Sequence, residues 1–82
     1  MRTRNAPVEA ITAAIIDHLA SHPLAADSAD GVTRWWLGPA FAGVSAAQVE
    51  IALEGLVARQ AMRRLSLMDG TILYSQAPPV RQ

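Results

Sequence analysis

Residues 45–75 read SAAQVEIALEGLVARQAMRRLSLMDGTILYS, and the fold turns on how this stretch divides. Ser45 is a good N-cap, because its hydroxyl can accept from a free N–H of the first helical turn. Val49, Ala52, Leu53, Leu56 and Val57 then recur at helical spacing and form one apolar stripe. The helix is expected to end near Gln60. Two short alternating segments follow, joined by Asp69-Gly70. A two-residue Asp-Gly loop favours a type I′ turn, whose two central positions both need positive φ. That loop pairs Met68 with Thr71, Leu67 with Ile72, Ser66 with Leu73 and Leu65 with Tyr74. Leu65, Leu67, Ile72 and Tyr74 would then share one face of the ribbon. Arg64, Ser66, Met68, Thr71 and Leu73 would share the other.

Working toward the N-terminus, Gly38-Pro39 ends a short helix expected over Ser28 to Leu37, with Asp27 as its N-cap. GPAFAGV (38–44) reads as a loop. Val32, Trp35 and Trp36 stand at i, i+3 and i+4 and so share a face. Leu24 to Ser28 reads as a connector. An earlier helix opens at Pro7 and buries Val8, Ile11, Ile15 and Leu19, with Ala14 and His18 flanking and Ile16 widening the face. His22-Pro23 ends it. The domain is expected over 7–75, after a loose arm (1–6) and before a disordered tail (76–82).

The 82 residues make one domain, and a composition 51% hydrophobic and 17% charged can supply its core. Without cysteine there is no disulfide and no thiolate metal site. No segment approaches the roughly 20 apolar residues of a membrane helix, and no apolar signal region follows MRTRNAP. The expected location is cytoplasmic. Seven arginines balance seven acids, so the basic excess that drives phosphate binding is missing overall.

Helix, short helix, helix, hairpin is an order that resembles a winged helix-turn-helix domain. The resemblance spans residues 8–75 as architecture. In sequence it is carried by VEIALEGLVARQAMRRLSLMDGTILYS, with its leucine-valine helix end, basic strand, DG turn and Tyr-bearing strand. Gln60 stands where the family often has Gly, which argues against a left-handed cap. The fold class implied is mainly α with a small β-hairpin.

In DNA-binding members of that family the third helix enters the major groove, and the wing touches phosphate or minor groove. Carried over, the reading face at ~100° per residue holds Ala47, Glu50, Ile51, Glu54, Gly55 and Ala58. It offers none of the Arg, Lys, Asn or Gln that mostly read bases. Arg59, Arg63 and Arg64 are better placed for phosphate. The same face reads more naturally as a protein contact, flat and lined by small residues around an outward Ile51. Trp36 and Phe41 would add an apolar patch at the start of the helix if both were accessible. The simpler role for at least one tryptophan is core packing.

His18 and His22 lie at i, i+4, a spacing that suits a metal, but two ligands do not make a site; a histidine at a helix C-terminus is explained by the helix dipole. No metal or cofactor is expected. Nor is an enzyme or a small-molecule substrate, because no nucleophile has an evident base and the carboxylates are scattered. The Arg63-Arg64 pair also suits an edge strand guarded by charge. The expectation is an interaction or assembly adaptor whose partner is a protein or a second copy. Its alternative is a DNA-binding regulator using Arg59, Arg63 and Arg64.

Overall fold

A computed structural model describes residues 8–78. The arm at 1–6, Pro7 and the last four residues lie outside that range. The elements are α1 (Val8–Ser21), β1 (Ala26–Asp27), α2 (Ala29–Gly31) running into a π-helical turn (Val32–Trp36), a 3-10 turn (Pro39–Phe41), α3 (Ala46–Ala58), β2 (Met62–Ser66) and β3 (Ile72–Gln76). The class is mainly α with a small antiparallel sheet, as the periodicities imply.

One core joins these elements. Ile11, Ile15 and Leu19 from α1 meet Val49, Ala52, Leu53 and Leu56 from α3. Val32, Trp36 and Leu37 close one end, and Met62 and Tyr74 bring in the sheet. Both apolar stripes therefore pack as their spacing predicts, and burying each of their Val, Ile and Leu side chains contributes about 1.5–3 kcal/mol.

The second helix departs from expectation in two ways. Its N-cap is Ser28, not Asp27: the Ser28 hydroxyl accepts from Gly31 N at 3.1 Å. Asp27 instead accepts from Ser28 N at 2.9 Å, and its carboxylate lies where a Cβ on Gly31 would collide with it. Beyond Gly31 the helix widens into the π turn. A wider turn rotates successive side chains less, so Val32 and Trp36 point inward together while Trp35 is left 73% exposed. The three residues do not share a face.

Helix α3 starts with a reciprocal capping box. Ser45 Oγ accepts from Gln48 N, and Gln48 Oε1 accepts from Ser45 N, both at 3.2 Å. It ends in a Schellman arrangement: Gln60 N donates to Val57 O and Ala61 N donates to Leu56 O, each at 2.9 Å. Gln60 adopts φ 64°. The left-handed cap argued against for want of a glycine is therefore present, because the two bonds it completes offset the cost of a side chain there.

The sheet has three strands in the order β1-β3-β2, all antiparallel. Strand β1 forms within the expected connector, pairing Ala26 with Ser75 and Asp27 with Tyr74. Strand β3 runs on to Gln76, one residue into the expected tail.

The hairpin register also differs from expectation. Ser66 pairs with Ile72, Leu65 with Leu73 and Arg64 with Tyr74. Leu67 N donates to Thr71 O at 2.8 Å and Gly70 N to Leu67 O at 3.0 Å. Three residues therefore turn the chain, with positive φ at Gly70 alone. Asp69 stays at negative φ, which rules out type I′; its carboxylate accepts from Thr71 N at 2.9 Å. A one-residue slip exchanges the faces of one strand relative to the other. Arg64 joins Ile72 and Tyr74, while Leu65 and Leu67 turn outward, 56% and 40% exposed.

Candidate protein-interaction surface

Helix α3 buries Val49, Ala52, Leu53 and Leu56, so the opposite side of the helix must face out. Ala47, Glu50, Ile51, Gly55 and Ala58 are exposed there, with Ile51 60% accessible. Helix α1 runs beside this face and contributes Ile16, which is 44% exposed. Between the two helices lies an open, mainly apolar groove of about 390 Å³, lined among others by Val8, Thr12, Ile16, Ile51, Gly55 and Arg59. Ile16 and Ile51 stand on opposite walls of it. The α1 periodicity sets Ile16 only at the margin of the buried stripe; its proximity to Ile51 is a tertiary fact.

Glu54 is half-buried and belongs to a different arrangement. Tyr74 donates its hydroxyl to Glu54 Oε2 at 2.6 Å. Arg64 Nη1 reaches Oε1 at 2.6 Å and Oε2 at 2.7 Å. The Tyr74 hydrogen bond, and after it Arg64, hold the Glu54 carboxyl below its ordinary range. Burial and the bond to Glu54 push the Tyr74 phenol up to about 12. Glu54 in turn raises the Arg64 guanidinium above its usual value. The three groups pin the hairpin to α3, and Glu54 is not a bare carboxylate on the outer face.

The three arginines singled out for phosphate do not converge. Arg59 caps α3 and lines the α1/α3 groove. Arg63 is exposed on the outer side of β2, beside Leu24 and Gln76. Arg64 is held by Glu54; the register slip placed it there.

Trp36 and Phe41 lie in another part of the molecule, around a depression shared with Ala14, Asp17, His18 and His22. Trp36 is buried and stacks on His18 at 4.6 Å between ring centroids; His18 stacks on His22 at 4.5 Å. Burial, and after it the neighbouring His22, lower the His18 pKa. The accessible aromatic is Trp35, so the patch expected from Trp36 with Phe41 does not form. His18 and His22 form part of this stacked column, and among the described residues no three metal-ligating side chains cluster.

No helix among the described residues is long and apolar enough to cross a membrane. Compared with protein-family models, curated proteins and solved structures, the chain matches none.

Proposed function

We propose that this chain is a non-catalytic winged helix-turn-helix module that acts as an assembly adaptor, binding protein through the outer face of α3 and the adjoining groove. The order of helices and hairpin supports the fold reading. The observation that carries the functional one is Ile51, 60% exposed on the wall of an apolar groove faced by Ile16. A lone exposed isoleucine means little, but one set in a groove with small neighbours is how a helix-binding surface is built. The dispersal of Arg59, Arg63 and Arg64 weakens the alternative of DNA binding, since phosphate affinity rests on clustered cations.

Two arms test the proposal. Cross-linked co-purification from the native source compares the wild type with Ile51→Arg, a surface change that leaves the fold intact. Specific proteins lost from the variant support the adaptor. The same protein set retained by both sinks it. In the second arm, amide shifts are followed during titration with mixed-sequence duplex DNA. Salt-sensitive shifts along α3 and at Arg59 and Arg63 would replace the adaptor with a DNA-binding regulator.

A further inference from the structure

The chain holds two Asp-Gly steps, Asp30-Gly31 and Asp69-Gly70. An aspartate before glycine is chemically labile, because no side chain on the glycine shields its nitrogen. That nitrogen attacks Cγ of the neutral aspartic carboxyl. An N–C bond forms, the carboxyl hydroxyl departs with the amide hydrogen as water, and a succinimide ring closes. Water then reopens the ring. Attack at the former side-chain carbonyl restores aspartate; attack at the α-carbonyl leaves isoaspartate, with the main chain running through Cβ and Cγ. One water leaves and one returns, and nothing is oxidised or reduced. We infer that Asp69, at the hairpin tip, is the site of this modification in the folded chain, and that Asp30 is spared.

The two steps stand in opposite surroundings. Ring closure brings the aspartate Cβ and the glycine nitrogen into line about the Cα–C bond, and a helical ψ holds them apart. Asp30 lies inside α2, and Gly31 continues the helical backbone at φ −64° and ψ −40°. Gly31 is buried, its N–H donates to Ser28 Oγ at 3.1 Å, and the Asp27 carboxylate fills the space beside its Cα. The Asp30 carboxylate is drawn to Arg34 at 3.0 Å. Cyclisation there would unwind α2 and break its cap.

At the tip, Met68, Asp69 and Gly70 are all exposed, and nothing lies within 4 Å of the position a Gly70 Cβ would take. Two hydrogen bonds restrain the step. Gly70 N donates to Leu67 O at 3.0 Å, and Thr71 N donates to Asp69 Oδ1 at 2.9 Å. The Thr71 bond also holds the Asp69 carboxyl below its ordinary range, which makes the neutral, reactive form scarcer. Both bonds open when the hairpin end frays, and fraying costs far less than opening an element of the core. The tip therefore reacts more slowly than unfolded chain but faster than Asp30. Isomerisation adds one carbon to the main chain of a turn closed by Leu67 N donating to Thr71 O at 2.8 Å. The longer turn misplaces that bond, and the hairpin loosens from its tip.

Warm incubation of the full chain at neutral pH for several weeks tests this, once in buffer and once in concentrated guanidinium chloride. Isoaspartate leaves the mass unchanged, so it is read by chromatographic separation of proteolytic peptides and electron-transfer fragmentation, which distinguishes the two backbones. In denaturant both steps should isomerise at comparable rates. In buffer isoaspartate should accumulate at Asp69 and stay at its starting level at Asp30. Asp69→Ser should accumulate none at the tip. The isomerised chain, isolated by ion exchange, should lose the amide protection of Leu67 while keeping that of Leu53 and Leu56 in α3. Equal accumulation at Asp30 and Asp69 in buffer overturns the selection between them. So does an Asp69 that stays unmodified in buffer while it isomerises in denaturant. An isomerised chain in which Leu67 is as protected as before overturns the loosening of the hairpin.

Discussion

Tyr74 on the last strand donates its phenolic hydrogen to Glu54 on α3 at 2.6 Å, across twenty residues of sequence. The bond bridges the two halves of the 45–75 segment. It forms because the hairpin register sets Arg64 opposite Tyr74, so that both side chains reach one carboxylate. Tyr74→Phe keeps the packing of a buried ring and removes only the hydroxyl. It should cost roughly 1 kcal/mol in urea unfolding, and the Glu54 carboxyl should titrate higher by NMR. A variant equal to wild type on both measures would show that the bond contributes nothing.

Acid should lower the stability of the domain in two steps. His18 has a lowered folded pKa, so the unfolded chain binds its proton more readily. Stability from this group is complete above the ordinary imidazole value of 6.5 and falls as pH drops below it. Glu54 is also lowered, from 4.5; its contribution is present above that value and is lost as pH falls through the folded pKa. Urea midpoints measured from pH 8 to pH 3 should show both declines. His18→Phe, which keeps a ring against Trp36, should remove the first and spare the second. An unchanged profile in that variant would assign the upper decline elsewhere.

How far the fold was legible depended on the length of its signals. The α1 and α3 stripes repeat over several turns, and their core residues are the ones the spacing marks. The S-x-x-Q capping box at Ser45 and Gln48 is equally local, two residues three apart in sequence. A two-residue strand such as Ala26–Asp27 has no periodicity and little β propensity; it exists because β3 offers an edge. The π turn that separates Trp35 from Trp36 likewise has no local signature. The outward α3 face followed from helical geometry, but its facing wall, Ile16, came from the packing of α1. Arg64 meets Glu54 through a one-residue difference of register, which the sequence leaves open because Asp-Gly suits both a two-residue and a three-residue loop.

Gln60 marks a place where stability is open to improvement. Its φ of 64° suits glycine, and a side chain there carries the left-handed penalty. The Schellman bonds from Gln60 N and Ala61 N use only backbone and survive substitution. Gln60→Gly should therefore stabilise the domain by about 0.5–1 kcal/mol. Gln60→Val, branched at Cβ, should destabilise it. Equal denaturation midpoints for the two variants would contradict the left-handed geometry.

The hairpin register makes a sharper demand, because the two alternatives bury different leucines. With three residues in the turn, Leu65 and Leu67 lie on the outer face and Ile72 packs against the core. Leu65→Thr and Leu67→Thr should then leave stability within about 0.5 kcal/mol of wild type, as surface changes do. Ile72→Thr should cost more than about 1 kcal/mol, because it places a hydroxyl among apolar neighbours. With two residues in the turn, Leu65 and Leu67 would share the core face with Ile72, and all three substitutions would be costly. Urea denaturation of the three single variants separates these outcomes. A large loss at Leu65 would also release Arg64 from Glu54, returning that arginine to the outer face of the hairpin and reopening it as a contact for phosphate.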